Sequence, residues 1–206
     1  MKNLSGKLCG AALLLAIAAN SGYAETIGMI PADKINKSVR SYGASLKEKR
    51  FGDWEYSTNA NSVNGLSGVF IGSRSREWGG AAGLLLSCFP KVVRGGVALD
   101  VDIDFRPAVD YYDGRYYIRG RFNNQERPLE LRTTMRNNWA TMALGPEATK
   151  AWVANARVAS KYFIVFDNDS RTYGNSGTFS LNGFSRAYDA LISGCTQIGE
   201  VSFNKG

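Results

Sequence analysis

Three carboxylates alternate with apolar residues in one stretch of the chain, at Asp100, Asp102 and Asp104. The alternation predicts a β-strand and puts the three carboxylates on one face of that strand, in steps of about 7 Å. A calcium loop needs oxygen ligands that converge through a turn, whereas a straight strand keeps them apart. We therefore expect a solvated strand face here, with neither a metal ion nor a cofactor bound.

Tyrosine and arginine residues cluster just after this stretch and form the best candidate for a recognition surface. Aromatic rings and guanidinium groups together stack on bases or sugars and hold phosphates or carboxylates. The alternative is an ordinary β-hairpin, in which Tyr is common for reasons of packing alone. If the arginine face neighbours the aspartate face, opposite charges pair across the strands. The candidate residues are Tyr111, Tyr112, Arg115, Tyr117, Arg119 and Arg121.

A second group of cations lies in residues 25–50, which carry a net charge of +3, whereas residues 51–206 carry only +2. One interpretation is an arm that meets an acidic partner or an anionic envelope surface. The other is a leading helix that packs on the body with its cations in water, because apolar residues recur at helical spacing after Pro31. Those apolar residues are Ile35, Val39, Tyr42 and Leu46. The cations are Lys34, Lys37, Arg40, Lys47, Lys49 and Arg50.

The composition excludes several classes of function. The chain of 206 residues contains no histidine, the residue that supplies the base of most Ser and Cys triads and many zinc ligands. It also lacks a G-x-S-x-G motif, a G-K-[ST] phosphate loop and a C-x-x-C pair. The small net charge of the body is far from that of a nucleic-acid-binding domain. We expect a protein without catalytic activity, although a hydrolase that uses an Asp and Glu pair stays open.

The amino terminus has the features of an export signal. Lys2 and Lys7 stand before an apolar run of about a dozen residues, and Ala24 ends a small-residue cleavage site. The run is shorter than the roughly 20 apolar residues that span a bilayer, which argues against a retained anchor. We therefore expect residues 1–24 to be removed and the mature chain to begin at Glu25, in the periplasm or outside the cell.

Removal of that signal takes Cys9 away and leaves an even pair of cysteines, Cys88 and Cys195. In an exported protein such a pair typically forms a disulfide, and two buried free thiols are the alternative. A bond between residues so far apart in sequence would contribute about 4.7 kcal/mol in the chain-entropy model.

From residue 51 to residue 142 the sequence is a series of short β-rich runs separated by Gly and Asn. The connections are too short for parallel crossovers, so we expect antiparallel pairing. A two-residue hairpin is expected at Asp113-Gly114, between Tyr-rich arms. The predicted strands are 54–56, 69–71, 84–86, 97–105, 129–135, 139–144, 162–166 and 178–181.

Two helices are expected in the last third of the chain. The first begins at Pro146 and ends near residue 157, because Pro and the following acid suit a first helical turn. The second, near 184–195, has one apolar face. The expected fold is therefore mainly β (α+β): a single antiparallel β-sandwich-like domain over residues 51–206, with these helices and one disulfide. The apolar face of the second helix consists of Phe184, Ala187, Tyr188, Leu191 and Cys195.

Several short motifs follow one another along residues 51–196. They are Gly52-Asp53-Trp54-Glu55-Tyr56-Ser57, Leu84-Leu85-Leu86-Ser87-Cys88, Val97–Phe105, Tyr117–Phe122, Trp139, Phe179–Phe184 and Cys195. Their order resembles that of the VasI-type proteins associated with type VI secretion and, more distantly, of the invasion-associated locus B proteins, both bacterial exported families. The resemblance implies a compact periplasmic domain with an accessory role, in which Trp54, Cys88 and Cys195 are structural. The basic segment and the Asp113-Gly114 hairpin have no counterpart in it.

The residues and the resemblance together predict a non-enzymatic accessory protein that binds an envelope or secretion-system component. The Tyr and Arg cluster and the basic segment are the expected contact surfaces. The alternative is an inhibitor or immunity protein that blocks a toxin or cell-wall hydrolase with a loop such as Asp167–Gly177. The expected partner is another envelope or secreted protein, or an anionic envelope surface, and not a nucleic acid. The sequence leaves the oligomeric state open.

Overall fold

The computed structural model of the chain describes residues 26–38, 49–60, 67–77, 80–106, 114–136, 139–142, 144–168 and 176–205. Within these residues, eleven β-strands and two α-helices enclose a hydrophobic core. Every strand pair is antiparallel, as predicted from the short connections. The strands form one continuous ladder that folds over into two layers.

The first layer contains the six amino-terminal strands. They are β1 (Thr26–Pro31), β2 (Lys49–Phe51), β3 (Trp54–Ala60), β4 (Ser67–Glu77), β5 (Gly80–Val93) and β6 (Gly96–Arg106). Five of them pair in the order β2-β3-β4-β5-β6, and β1 pairs with β6 beyond them. In β6 the odd-numbered residues from Val97 to Phe105 are at most 5% exposed and face the core, and they alternate with half-buried residues from Val101 onward.

The second layer is formed by later strands and packs on the first. They are β7 (Gly114–Phe122), β8 (Leu129–Arg136), β10 (Lys161–Asn168) and β11 (Ser176–Ser180), with the short β9 (Trp139–Thr141) between the layers. The order is β8-β7-β10-β11, and β9 pairs with both β8 and β6. The ring centroids of Phe105 and Phe179 lie 6.0 Å apart across the core. The backbone N–H of Thr178 donates to Ser75 Oγ at 3.2 Å. The sandwich-like prediction is confirmed.

Helix α1 runs over Pro146–Val158, which confirms the first predicted helix. Gly145 is its N-cap, and the proline in its first turn removes a backbone donor that would lack a helical partner. Its buried Trp152 packs in the second layer, with its ring centroid 5.4 Å from that of Phe122 and 5.2 Å from that of Tyr162. The helix therefore closes one end of the core.

Helix α2 runs over Phe184–Lys205 and covers part of the inner face of the first layer. Cys195 is bonded to Cys88 of β5, so the predicted disulfide is confirmed. The helix was predicted to end near Cys195, and it continues for ten more residues. Ile198 and Val201 are 5% and 6% exposed and extend the apolar stripe at helical spacing, which explains the extra length.

Residues 26–38 are docked on the body of the protein. Strand β1 adds to β6, and the side chain of Ile35 is only 5% exposed in the core. The backbone N–H of Asn36 donates to Glu200 Oε1 at 3.1 Å, and Asn204 Nδ2 donates to the carbonyl of Asn36 at 3.1 Å. These contacts fix the segment to β6 and to the end of α2.

The helix predicted for this segment is reduced, where the chain is described, to one 3-10 turn at Ala32–Lys34. Ile35 is extended, with ψ 130°, and it breaks the helical pattern because its side chain turns into the core. The remaining residues of the predicted stripe, Val39, Tyr42 and Leu46, lie outside the described residues.

The predicted tight hairpin at Asp113-Gly114 is wrong. Such a hairpin would pair Tyr116 with the Tyr-rich arm that precedes Asp113, but Tyr116 already pairs with Thr133 of β8 on one side and Asn168 of β10 on the other. Both backbone edges of β7 are therefore occupied at this residue. A local turn signal cannot reveal that strands distant in sequence occupy both edges.

Candidate functional site

Strand β7 carries the described part of the predicted Tyr and Arg surface. Tyr117 is half-buried, and the side chains of Arg119 and Arg121 are exposed. The three residues alternate with Ile118 and Phe122, which are at most 3% exposed in the core. Because alternate side chains of a strand point to opposite faces, the buried residues fix the outward direction of the arginines.

The neighbouring strand β10 adds three side chains to the same outer face. In the antiparallel register, Arg121 lies opposite Phe163 and Arg119 lies opposite Val165. Lys161 begins β10 and is exposed, whereas Phe163 and Val165 are half-buried. We call these six residues the arginine face. It consists of Tyr117, Arg119, Arg121, Lys161, Phe163 and Val165.

Aromatic contact and charge give the arginine face its chemistry. The guanidinium carbon of Arg121 lies over the Phe163 ring, 5.6 Å from its centroid, which is a cation–π distance. Glu130 of β8 lies opposite Arg119 in the register, so the side chains described on and beside the face are three cations and one bordering carboxylate. Such a face suits carboxylates or phosphates placed next to an apolar group.

The side chain of Asn123 fixes the backbone at one end of the arginine face. Asn123, in the turn after β7, accepts hydrogen bonds at its Oδ1 from the backbone N–H groups of Ser160 and Lys161, both at 3.0 Å. The backbone N–H of Asn123 in turn donates to the carbonyl of Lys161 at 3.1 Å. These bonds hold the turn after β7 against the start of β10. Arg121 and Lys161 are therefore presented by a rigid scaffold.

Sequence reasoning missed the contribution of β10 to this face. Lys161 and Phe163 lie about 40 residues after Arg121, and only the sheet pairing brings them together. The available signal was the alternation of Lys161, Phe163 and Val165 with buried Tyr162 and Ile164, which gives the strand an outer face but not its neighbour.

Several predicted contact residues lie outside the described residues. Because part of the predicted recognition surface is not among the described residues, the arginine face is defined by residues of β7 and β10 alone. The loop proposed for an inhibitor, Asp167–Gly177, is described only at its two ends, where it leaves β10 and enters β11. The predicted residues not described are Tyr111, Tyr112, the side chain of Arg115, Arg40 and Lys47.

The basic segment does not form one surface in its described part. Lys34 and Lys37 are exposed near the junction of β1 with β6, whereas Lys49 and Arg50 are exposed on β2. Three strands, β5, β4 and β3, separate β6 from β2 in the sheet. The described cations therefore lie at two separate places, because β1 and β2 join opposite sides of the first layer.

The three aspartates share the outer face of β6, but they are not all solvated. Asp100 is 2% exposed and forms an ion pair with Lys91 of β5. Thr26 of β1 lies opposite Asp100 in the sheet, so β1 covers a strand edge that the sequence of β6 alone left open. Burial raises the pKa of Asp102, the charge of Asp100 raises it further, and Lys91 lowers it. The expectation of a solvated face is wrong for Asp100, and Asp102 and Asp104 are half-buried.

The aspartate and arginine rows are not neighbours. Strand β6 pairs with β1, β5 and β9, and β7 pairs with β8 and β10. The rows therefore lie in different layers and are not cross-strand neighbours, as the cross-strand charge pairing considered from the sequence would require.

Among the described residues, no group of three or more His, Cys, Asp and Glu side chains has the arrangement needed to hold a metal ion. No helix in the described part of the chain is both long enough and apolar enough to cross a membrane.

The chain has a distant neighbour among solved structures. No protein-family model matches the chain, and no curated protein sequence matches it. Among solved structures, the crystal structure of invasion associated protein B from Bartonella henselae aligns with 71% of this chain and 96% of that one. The sequence identity is 15% and the TM-score is 0.47. The VasI-type resemblance rests on the order of the short sequence motifs alone.

Proposed function

We propose that this chain is a non-enzymatic accessory protein of the periplasm or the secreted space, which binds an envelope or secretion-system protein through the arginine face. The observation that carries the proposal is the row of exposed cations, Arg119, Arg121 and Lys161, beside half-buried Phe163. Arginine and aromatic side chains are enriched where protein interfaces concentrate their binding energy.

The chemistry of the face favours one kind of partner. Three cations bordered by one carboxylate fit a partner with acidic side chains, because complementary charge speeds association and disfavours wrong partners. The half-buried Phe163 and Val165 offer apolar area for an adjacent side chain of that partner. The VasI-type resemblance makes a component of a type VI secretion system one candidate for this role.

Two independent features support the proposed compartment. The disulfide between Cys88 and Cys195 is typical of proteins that fold in an oxidising environment. The predicted signal at residues 1–24 would direct the chain to such an environment. The lack of histidine supports a binding role over catalysis, since it removes the commonest general base.

Capture of partners from a bacterial envelope extract tests this function, with residues 25–206 as the immobilised bait. Recovery of one stoichiometric protein supports the proposal, and its identity distinguishes a secretion component from a toxin or hydrolase. Recovery of no protein, or turnover of an envelope polymer by the bait, would contradict it.

A further inference from the structure

One corner of the first layer exposes aliphatic side chains. Met29 of β1 is 56% exposed, and Val92 and Val93 at the end of β5 are 52% and 38% exposed. Large aliphatic side chains scattered singly over a surface need no explanation, but a contiguous group marks a contact site. These three lie within one corner of the sheet, at the end of the β5–β6 hairpin.

The strand register places two of the aliphatic residues on one face. Met29 lies opposite Ala98 of β6, and Val93 lies opposite Gly96. Gly96 has no side chain and Ala98 has only a methyl group, so the floor between Met29 and Val93 is shallow and apolar. Pro31, also exposed, pairs with Gly96 from the other side. Val92 points to the opposite face of β5 and forms the rim of the same corner.

Cations surround this apolar corner. Arg94 is exposed in the two-residue turn between β5 and β6, and Lys34 and Lys37 are exposed just after β1. The backbone N–H of Ala32 donates to the carbonyl of Gly95 in that turn at 2.9 Å, which holds the Lys34 turn beside Arg94. Asp33 lies 3.8 Å from Lys34 and offsets part of this charge. We call Met29, Pro31, Val92, Val93, Arg94, Lys34 and Lys37 the hairpin tip.

The scaffold behind the hairpin tip is rigid. Gly95 has a φ of +95°, a conformation that suits glycine in a tight turn. The inner neighbour Val97 is fully buried under α2, and Ile35 anchors the segment after β1 in the core. These anchors hold the described residues of the tip in place before binding, which lowers the ordering cost of association.

We propose that the hairpin tip docks on an anionic phospholipid surface. The aliphatic side chains stand at the end of a hairpin with cations around them, so they can enter the acyl boundary while the cations stay at the level of the phosphates. Each Lys or Arg near an anionic leaflet strengthens binding by roughly fivefold, equivalent to about 1 kcal/mol. Three cations and three aliphatic side chains therefore give reversible binding that requires both features.

Flotation of residues 25–206 with phospholipid vesicles tests the proposal. We expect binding to vesicles of phosphatidylglycerol and phosphatidylcholine, little binding to phosphatidylcholine alone, and weaker binding as salt rises. Met29→Ser with Val93→Ser should reduce binding at least tenfold, and Arg94→Gln roughly fivefold. Val158→Ser is the matched control, because Val158 is 76% exposed on α1 and is not a residue of the hairpin tip, so its loss should change nothing.

The outcomes separate this inference from the proposed function. The variant with Arg119→Gln and Arg121→Gln should keep most of its vesicle binding. If it loses as much vesicle binding as the variant with Met29→Ser and Val93→Ser, the assignment to the tip is overturned. Equal binding to neutral and anionic vesicles, or no binding, would also overturn it. If the Met29 and Val93 changes instead turn a dimer into a monomer in sedimentation without lipid, the corner is a contact between two copies of the chain. Thermal melting of each variant checks that the fold is retained.

Discussion

Cys88 in β5 and Cys195 in α2 are joined by a disulfide although they lie 107 positions apart in sequence, and their Cα atoms lie 6.0 Å apart. Both side chains are fully buried in the core. The bond connects α2 to β5, a central strand of the first layer. Strands β4 and β5 also pack against β11 of the second layer. The bond therefore constrains the chain over more than half of its length.

Replacement of both cysteines, Cys88→Ser with Cys195→Ser, should destabilise the protein by about 2–5 kcal/mol, because the unfolded chain regains the freedom that the bond removed. For a domain of this size the melting temperature should fall by about 5–15 °C. Differential scanning calorimetry of residues 25–206 measures the change. Thiol labelling of the denatured, unreduced wild-type chain is the companion test, and labelling of both cysteines would show that the bond does not form.

Gly120 and Tyr162 should be energetically coupled. A Cβ atom at Gly120 would lie 1.9 Å from the Tyr162 hydroxyl and 2.7 Å from its ring carbon, so Gly120→Ala forces a buried ring to move. We expect a loss of about 1–3 kcal/mol from this overpacking. Tyr162→Phe removes the closer atom only, so the double variant should recover part of the loss. A double-mutant cycle in denaturant measures the coupling, and strictly additive effects would contradict the packing.

Asp102 should make stability depend on pH. Burial and the neighbouring Asp100 raise its pKa above the ordinary value near 3.8, so the folded state disfavours the charged form. The cost is absent below the pKa of the unfolded chain and is complete once the pH exceeds the raised folded pKa. Asp102→Asn should therefore raise the melting temperature at pH 7, and this gain should disappear near pH 3.

An exposed aspartate provides the control for that experiment. Asp33→Asn removes the same charge at a solvated position and should give little change at either pH. If Asp102→Asn gives the same gain at pH 3 and pH 7, the effect does not come from ionisation, and the electrostatic explanation fails.

The periodic elements could be predicted from the sequence because their signals are local. The alternation over residues 97–105 and the helical stripe from Phe184 to Cys195 both reflect a single buried face, and both elements formed. The strand predicted over 139–144 ends at Thr141, after its pairing partner has changed from β8 to β6. Element ends depend on such tertiary contacts and were less predictable.

The candidate site was less predictable because it depends on strand order. Arg119 and Arg121 were selected from their own strand, but Phe163 and Lys161 joined them only through the β7–β10 pairing. Asp100 was expected in water because nothing near it in sequence indicates that β1 returns to cover it. In both cases the deciding neighbour is distant in sequence, and alternation specifies a face but not what lies against it.

We propose that the arginine face binds a protein partner, and quantitative capture from an envelope extract by matched variants tests this claim. One bait carries Arg119→Gln and Arg121→Gln, and the control carries Arg74→Gln and Arg186→Gln, two exposed arginines outside the face. Both variants should melt within about 2 °C of the wild type, since interactions of exposed charged side chains contribute little to stability. We predict at least tenfold weaker capture by the first bait and unchanged capture by the control, in line with arginines at the centre of an interface. Equal capture by both baits would contradict the claim.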